Sequence, residues 1–326
     1  MEKRINDVLT LMDDRSYMRN QLFKLFAINS IDGIRFYYHM GEKSKSSPFG
    51  FFYKSLMEAY YKYVHTSAVK LPLADIEEVI MASEHVSVGP CPCRIIFEEE
   101  TQCKDPIFTC LKINHFSKLT TKLEKVAKRL SEERGMEVGN PNSRALSKEE
   151  AIEIMRSARK RHMIFSLESC IQPYQNNICA CCTDCCIELN MRYKFDMNVS
   201  PKGPYTPEWS ASSCTHCDAC ATACPLDAIA HDKKEKTLSV DLSRCLGCGI
   251  CAETCKTGAL SLTVDEKSIP VSKKPGRLKR AYVLILSATM FGFFLAFKLT
   301  HKAENKKYFQ AAPRPTDTIG DLRKAS

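Results

Sequence analysis

The chain has 326 residues, 44% of them apolar, with 18 cysteines and a formal net charge of +9. That length and apolar content suit two or three packed domains and exclude a disordered chain. So many cysteines in a chain this long do not fit the short secreted disulfide scaffold, and the basic balance admits either nucleic acid or an anionic membrane surface.

The opening stretch, "MEKRINDVLTLMDDRSYMRN", alternates charge with single apolar residues. It lacks the continuous apolar core of a signal peptide, so the start of the chain is expected in the cytoplasm. In a reducing compartment clustered thiols bind metal or iron–sulfur clusters more often than they pair. Residues 1–70 read as a helical N-terminal region: "INDVLTLM" and "MRNQLFKLFAI" have a period near 3.6, followed by a polar turn, "GEKSKSSP", and an aromatic helix, "FGFFYKSLMEAYYKYV". An aromatic stripe at helical spacing reads as core and not as a base-stacking platform, so no nucleic acid partner is expected.

Residues 71–204 read as a cysteine-rich domain in which a helix leads into a strand twice. "LADIEEVIMAS" precedes "HVSVGPCPCRIIF", and "LSKEEAIEIMRSARK", with Ser147 and Glu150 at capping-box spacing, precedes "HMIFSLESC". Between them lies a charged helix, "KLTTKLEKVAKRLSEERG", closed by Gly135. Cys91, Cys93, Cys103 and Cys110 put four thiolates on two short loops, the number that a cluster or a zinc ion needs; disulfides and buried free thiols are the alternatives. Arg94 is placed to offset thiolate charge. Farther on, "ICACCTDCC" carries Cys179, Cys181, Cys182, Cys185 and Cys186. Adjacent cysteines in an extended chain point to opposite faces, so Cys181 and Cys182 are expected to serve different sites, or one site and a packing role. Cys182 and Cys185 have the chelating C-x-x-C spacing. With Cys170, these thiols are enough for one or two clusters beyond those that the next segment suggests, and Cys179–Cys186 are expected to combine with Cys91–Cys110 in them.

"MNVSPKGPYTPEWS" has linker composition and marks a boundary near residue 205. In residues 205–268, "CTHCDACATACP" and "CLGCGICAETCK" both read C-x-x-C-x-x-C-x-x-x-C, with Cys214, Cys217, Cys220 and Cys224 recurring as Cys245, Cys248, Cys251 and Cys255. A [4Fe-4S] cluster needs one thiolate on each of four irons; a tight loop with cysteines three apart wraps three corners, and the fourth ligand comes from elsewhere. Structural zinc suits two identical runs of this kind poorly. Ala219, Ala221, Gly247 and Gly249 leave room for sulfide. "PLDAIAHD" reads as a short helix from Pro225, "TLSVD" and "ALSLTVD" as paired strands, and His216 as a solvent-facing loop residue. These features resemble bacterial-type two-cluster ferredoxins. The resemblance implies two [4Fe-4S] clusters, one on Cys214, Cys217, Cys220 and Cys255 and the other on Cys245, Cys248, Cys251 and Cys224. Lys256 departs from that family's usual proline and would add a charge able to raise a cluster potential. Together with "VGPCPCR" and "ICACCTDCC", residues 70–265 resemble a family of 4Fe-4S-binding proteins of anaerobic bacteria and archaea.

A basic linker, 269–280, with Lys273, Lys274, Arg277, Lys279 and Arg280, precedes the uncharged stretch "AYVLILSATMFGFFLAF". With Lys298 snorkelling and Leu299 added, residues 281–299 read as a transmembrane helix and 300–326 as a short tail; a buried or partner-binding helix is the competing reading. The expected location is therefore the cell membrane, single-pass, with the iron–sulfur domains facing the cytoplasm.

The expected fold class is α+β: a helical N-terminal region, a cysteine-rich α/β central domain, a small ferredoxin-like 2[4Fe-4S] domain and a C-terminal transmembrane helix. The sequence shows no nucleophile–base constellation or phosphate loop, and no small-molecule substrate is identified. The expected function is an electron carrier or oxidoreductase subunit and not a stand-alone enzyme: a membrane-tethered protein passing single electrons between redox partner proteins, from a cytoplasmic donor to a membrane-associated acceptor. The alternatives are an oxidoreductase or reductive activase subunit with a catalytic cluster in the central domain, and a redox-sensing regulator.

Overall fold

The structure, a computed structural model, describes residues 30–63, 69–101, 103, 105–114, 116–118, 121, 143–168, 176–264 and 277–301. The proposed helices before residue 29, most of the charged helix after residue 118, Cys170, residues 269–276 of the basic linker and the tail beyond residue 301 lie outside the described residues. Two aromatic helices come first, α1 (Ser30–Ser46) and α2 (Gly50–Tyr63). The polar turn expected at Gly41–Pro48 is shorter than its composition suggests, because α1 continues through Ser46. Lysines and serines on an exposed helical end cost little propensity, so polarity there did not signal a break.

The central domain is a six-stranded antiparallel sheet of β1 (Val69–Leu71), β2 (Val86–Gly89), β3 (Cys110–Ile113), β4 (Arg144–Leu146), β5 (Ile164–Glu168) and β6 (Asn176–Cys181), in the order β1-β5-β6-β3-β2-β4. Helices α3 (Leu73–Ala82) and α5 (Lys148–Lys160) cover one face; α4 (Pro92–Thr101) and α6 (Ile187–Tyr193) lie elsewhere in the domain. The capping box starts α5 as the sequence predicts, with the Ser147 hydroxyl accepting from the Glu150 amide and the Glu150 carboxylate accepting from the Ser147 amide. One expectation fails here. "CRIIF" is not part of a strand but lies in α4, which starts at Pro92, where proline costs no helical hydrogen bond.

Strand periodicity of two divides the sheet into unlike faces. Val69, Leu71, Val86, Val88, Leu111, Ile113, Phe165, Leu167, Ile178 and Ala180 form one core with Ile76, Val79, Ile80, Ile154 and Met155 of α3 and α5. The alternate residues turn the other way: Lys70 is the register partner of Ser166, and Ser166 of Cys179. The thiol-bearing face is thus the one opposite α3 and α5.

In the segment expected as a linker, Tyr205–Trp209 forms β7, paired antiparallel with β10 (Leu260–Val264). "TLSV" forms β9 (Thr237–Val240), and its partner is β8 (Ile229–Asp232), so the two strands expected to pair with each other each pair elsewhere. The second half of the expected helix "PLDAIAHD" is β8 itself; four residues are too few for a helical period to tell helix from strand. A common core continues across residue 205, with Ile164, Leu189 and Cys186 packed with Ala223, Leu226, Leu246 and Ile250.

The expected transmembrane helix needs correction. Residues 281–299 lie within α9 (Arg277–Thr300), but no helix among the described residues is long and apolar enough to cross a membrane. Instead Leu286, Met290, Phe294 and Phe297 pack against Phe36, Met40, Met57 and Tyr60 of α1 and α2, and Phe294 meets Phe36 edge-on at 5.5 Å. Lys298, expected to snorkel, has its Nζ 3.3 Å from the buried Asp32 carboxylate. The apolar stretch is covered on one side by protein. Phe294→Ala should remove about 3–5 kcal/mol of packing, measured as faster proteolytic release of α9.

Candidate metal centres

The two cysteine runs from 214 to 255 are built alike. Helices α7 (Ala219–Ala223) and α8 (Ile250–Thr254) each follow a residue in the left-handed region, Asp218 (φ 62) and Gly249 (φ 84), and each ends on an extended cysteine, Cys224 and Cys255. A left-handed residue reverses the chain within the loop, and the short helix carries the third cysteine inward. Gly247 (φ +69) is a second such point, because a Cβ there would collide with the Tyr205 carbonyl oxygen of β7. Gly247→Ala should therefore cost about 1–3 kcal/mol, seen as a lowered unfolding midpoint for the cluster-loaded protein.

Burial pushes the Cys251 thiol up to about 12, with Cys248, Cys245 and Cys224 adding to the effect. Cys248 is pushed up to about 11, again chiefly by burial, with Cys224 and Cys245 as its thiol neighbours. Burial also raises Cys220, whose thiol neighbours are Cys255 and Cys214. The Ala219 amide holds Cys217 low, against the opposing influence of Cys255. The eight thiols thus sort into two neighbourhoods, and in each a run of three cysteines meets the last cysteine of the other run. No three of them come within 4.8 Å of one another, as suits thiolates directed to different irons. A buried neutral thiol must lose its proton to bind iron, so assembly here releases protons.

The two neighbourhoods differ in setting. The Cys248 carbonyl accepts from Arg159 Nη2 at 3.3 Å; Arg159 also pairs with Glu253 at 3.0 Å and stacks over Phe165 at 4.1 Å, so a fixed positive charge from the central domain adjoins this set. At the other set Cys217 is exposed. His216 is not a plain solvent-facing residue: its Nδ1 lies 2.9 Å from His231 Nε2, the rings stack, and His231 in turn contacts Asp218. Nothing in the local sequence announces His231, fifteen positions away in β8. Lys256 is exposed.

The central cysteines gather across the two segments, 91–110 with 179–186, and not as two separate sets. Cys103 Sγ lies 3.5 Å from Cys182 and 3.8 Å from Cys185, and Cys182 lies 3.1 Å from Cys185. On the thiol-bearing face of the sheet, Cys179 bonds to Cys110 and Cys181, and Cys181 bonds to Cys186. The adjacent Cys181 and Cys182 belong to different groups. Cys91 and Cys93 bond to each other; accepting from Cys93 and facing Arg94, Cys91 is lowered to about 7 despite its burial. Within the trio, Cys182 is held far below the usual thiol range by hydrogen bonds from Cys103 and Cys185, and Cys103 is pushed up to about 11 by its bond to Cys182. Arg94, only 1% exposed, faces both groups, and although burial works against its charge the thiols Cys91, Cys185, Cys182 and Cys103 hold it firmly protonated.

Beneath Cys181 lies a group with little sign of it in the sequence. Lys70 is fully buried, and its Nζ lies 2.5 Å from Glu188 and 3.0 Å from Ser166. Burial disfavours its charge, yet Glu188 and Glu168 more than offset this and raise it above the ordinary lysine value. The one available signal was a lone lysine inside the apolar run "VKLPL".

Residues 213–259 match the family described as 4Fe-4S dicluster domain. The match implies two [4Fe-4S] clusters, and the eight cysteines of that segment fit them in number and spacing. Among curated proteins and among solved structures nothing matches the chain.

Proposed function

We propose that this protein is a single-electron carrier in which Cys214, Cys217, Cys220 and Cys255 hold one [4Fe-4S] cluster and Cys245, Cys248, Cys251 and Cys224 hold the other. The crossed neighbourhoods carry this reading, since each run of three thiols finds its fourth in the other run. Such an arrangement puts two one-electron centres in one small unit. The cluster beside the exposed Cys217 faces redox partner proteins, and the one beside Arg159 sits against the central domain. Fixed positive charge at the inner site favours its reduced state. The test is a potentiometric titration of anaerobically purified full-length protein followed by EPR. Two one-electron [4Fe-4S] signals are expected, the inner one at the higher potential and lowered by Arg159→Met. A preparation that loads zinc but no acid-labile sulfide would overturn the reading.

A further inference from the structure

Among the described residues, one trio of candidate ligand side chains comes together closely enough to share a single ion, and it lies outside the dicluster segment: the thiols of Cys103, Cys182 and Cys185. We propose that these three cysteines hold a mononuclear thiophilic divalent ion, zinc or ferrous iron, with the Asp105 carboxylate beside Cys103 as a neighbouring charge, separate from both [4Fe-4S] clusters.

Spacing is the first argument. Three thiolates on one tetrahedral ion, each at about 2.3 Å from it, stand about 3.8 Å apart; the three sulfur separations here are 3.1, 3.5 and 3.8 Å. In a cubane each thiolate binds a different iron and the sulfurs stand farther apart. The chain supplies its own reference, because no three of the eight dicluster thiols come within 4.8 Å of one another.

Charge is the second. The guanidinium of Arg94 is buried, and its hydrogen bonds run to neutral groups: the Pro106 and Ala180 carbonyls, the Thr109 hydroxyl and the Met163 sulfur. A buried cation whose hydrogen bonds all run to neutral groups needs an anion beside it, and the neighbouring cysteine sulfurs are the groups placed to carry that charge. Arg161 Nε donates to Asp105 Oδ1 at 3.1 Å, while Asp105 Oδ2 lies 3.6 Å from Cys103 Sγ. A divalent ion with three thiolates carries one negative charge, which Arg94 balances, and the neighbouring Asp105 carboxylate carries another, which Arg161 balances. Ile96 and Phe97 pack around Cys103 and Cys185 and limit water. Sulfur donors select zinc or iron over magnesium and calcium.

The experiment is elemental analysis and acid-labile sulfide on the full chain purified without oxygen. Metal ions are expected to exceed sulfide by one per chain. Cys185→Ala should remove that one ion and leave sulfide and the dicluster EPR signals unchanged. Asp105→Asn should weaken retention of the ion against a chelator at least about tenfold. Metal equal to sulfide would overturn the proposal, whether the thiols are then free, joined as a disulfide or part of a cluster. So would sulfide that falls together with metal in Cys185→Ala. Should that variant fail to fold, cobalt exchange into the wild-type chain replaces it. A thiolate-to-cobalt charge-transfer band with tetrahedral d–d bands supports the site, and its absence overturns it. Failure of the dicluster reading would look different, as missing sulfide with the extra ion retained.

Discussion

Cys255→Ala should give the same EPR spectrum as Cys217→Ala, although Cys255 lies in the other cysteine run. Each of these substitutions is expected to remove one cluster, about four irons of eight, and to leave the signal of the inner cluster. Cys224→Ala should likewise reproduce Cys248→Ala. The expectation rests on the neighbours of each thiol: Cys255 acts on Cys217 and Cys220, whereas Cys224 acts on Cys245, Cys248 and Cys251. Iron and sulfide analysis with EPR of the four variants checks it. If Cys255→Ala matched Cys248→Ala instead, each run would ligate its own cluster and the crossed assignment would fall.

The second large effect is expected far from the dicluster unit, at the buried pair of Lys70 and Glu188. Their side chains are 0% and 9% exposed, and the Lys70 ammonium is held between Glu188 and Ser166. Glu188→Gln leaves a cation in the sheet interior without its carboxylate, which costs about 3–5 kcal/mol. Replacing both partners, as in Lys70→Met with Glu188→Leu, removes both charges together and should recover most of that loss. Hydrogen exchange of the β1 and β5 amides measures both variants without requiring reversible unfolding of a cluster-loaded protein. Equal losses in the single and double variants would mean that packing, and not charge, sets the cost. Lys70 also faces Cys181, whose thiol is held low first by bonds from Cys179 and Cys186 and then by this lysine. The same pair therefore fixes charge beneath the thiols of the sheet face.

The covered side of α9 makes it part of the fold, yet its other side is apolar as well: Ile285 is 67% and Leu299 71% exposed. The buried side holds the larger aromatic residues, Phe294 and Phe297, which interlock with Phe36.

What the sequence determined by itself was whatever depends on near neighbours along the chain. The repeated cysteine spacing specified cluster-binding loops because three residues of one loop must reach three corners of one cube, and Ser147 with Glu150 specified the start of α5 because both bonds close within a single helical turn. The aromatic period of α2 was legible for the same reason. Only the tertiary structure decided which distant groups meet. Cys103 joins Cys182 and Cys185 across 79 and 82 positions, and Cys181 separates from its neighbour Cys182 because one side chain follows the sheet face while the other leaves it. "IAHD" became a strand because β9 was there to pair with it. Residues 281–297 show the limit most plainly: apolar character states that a surface must leave water, but only the packed structure could show that α1 and α2 cover Leu286, Met290, Phe294 and Phe297.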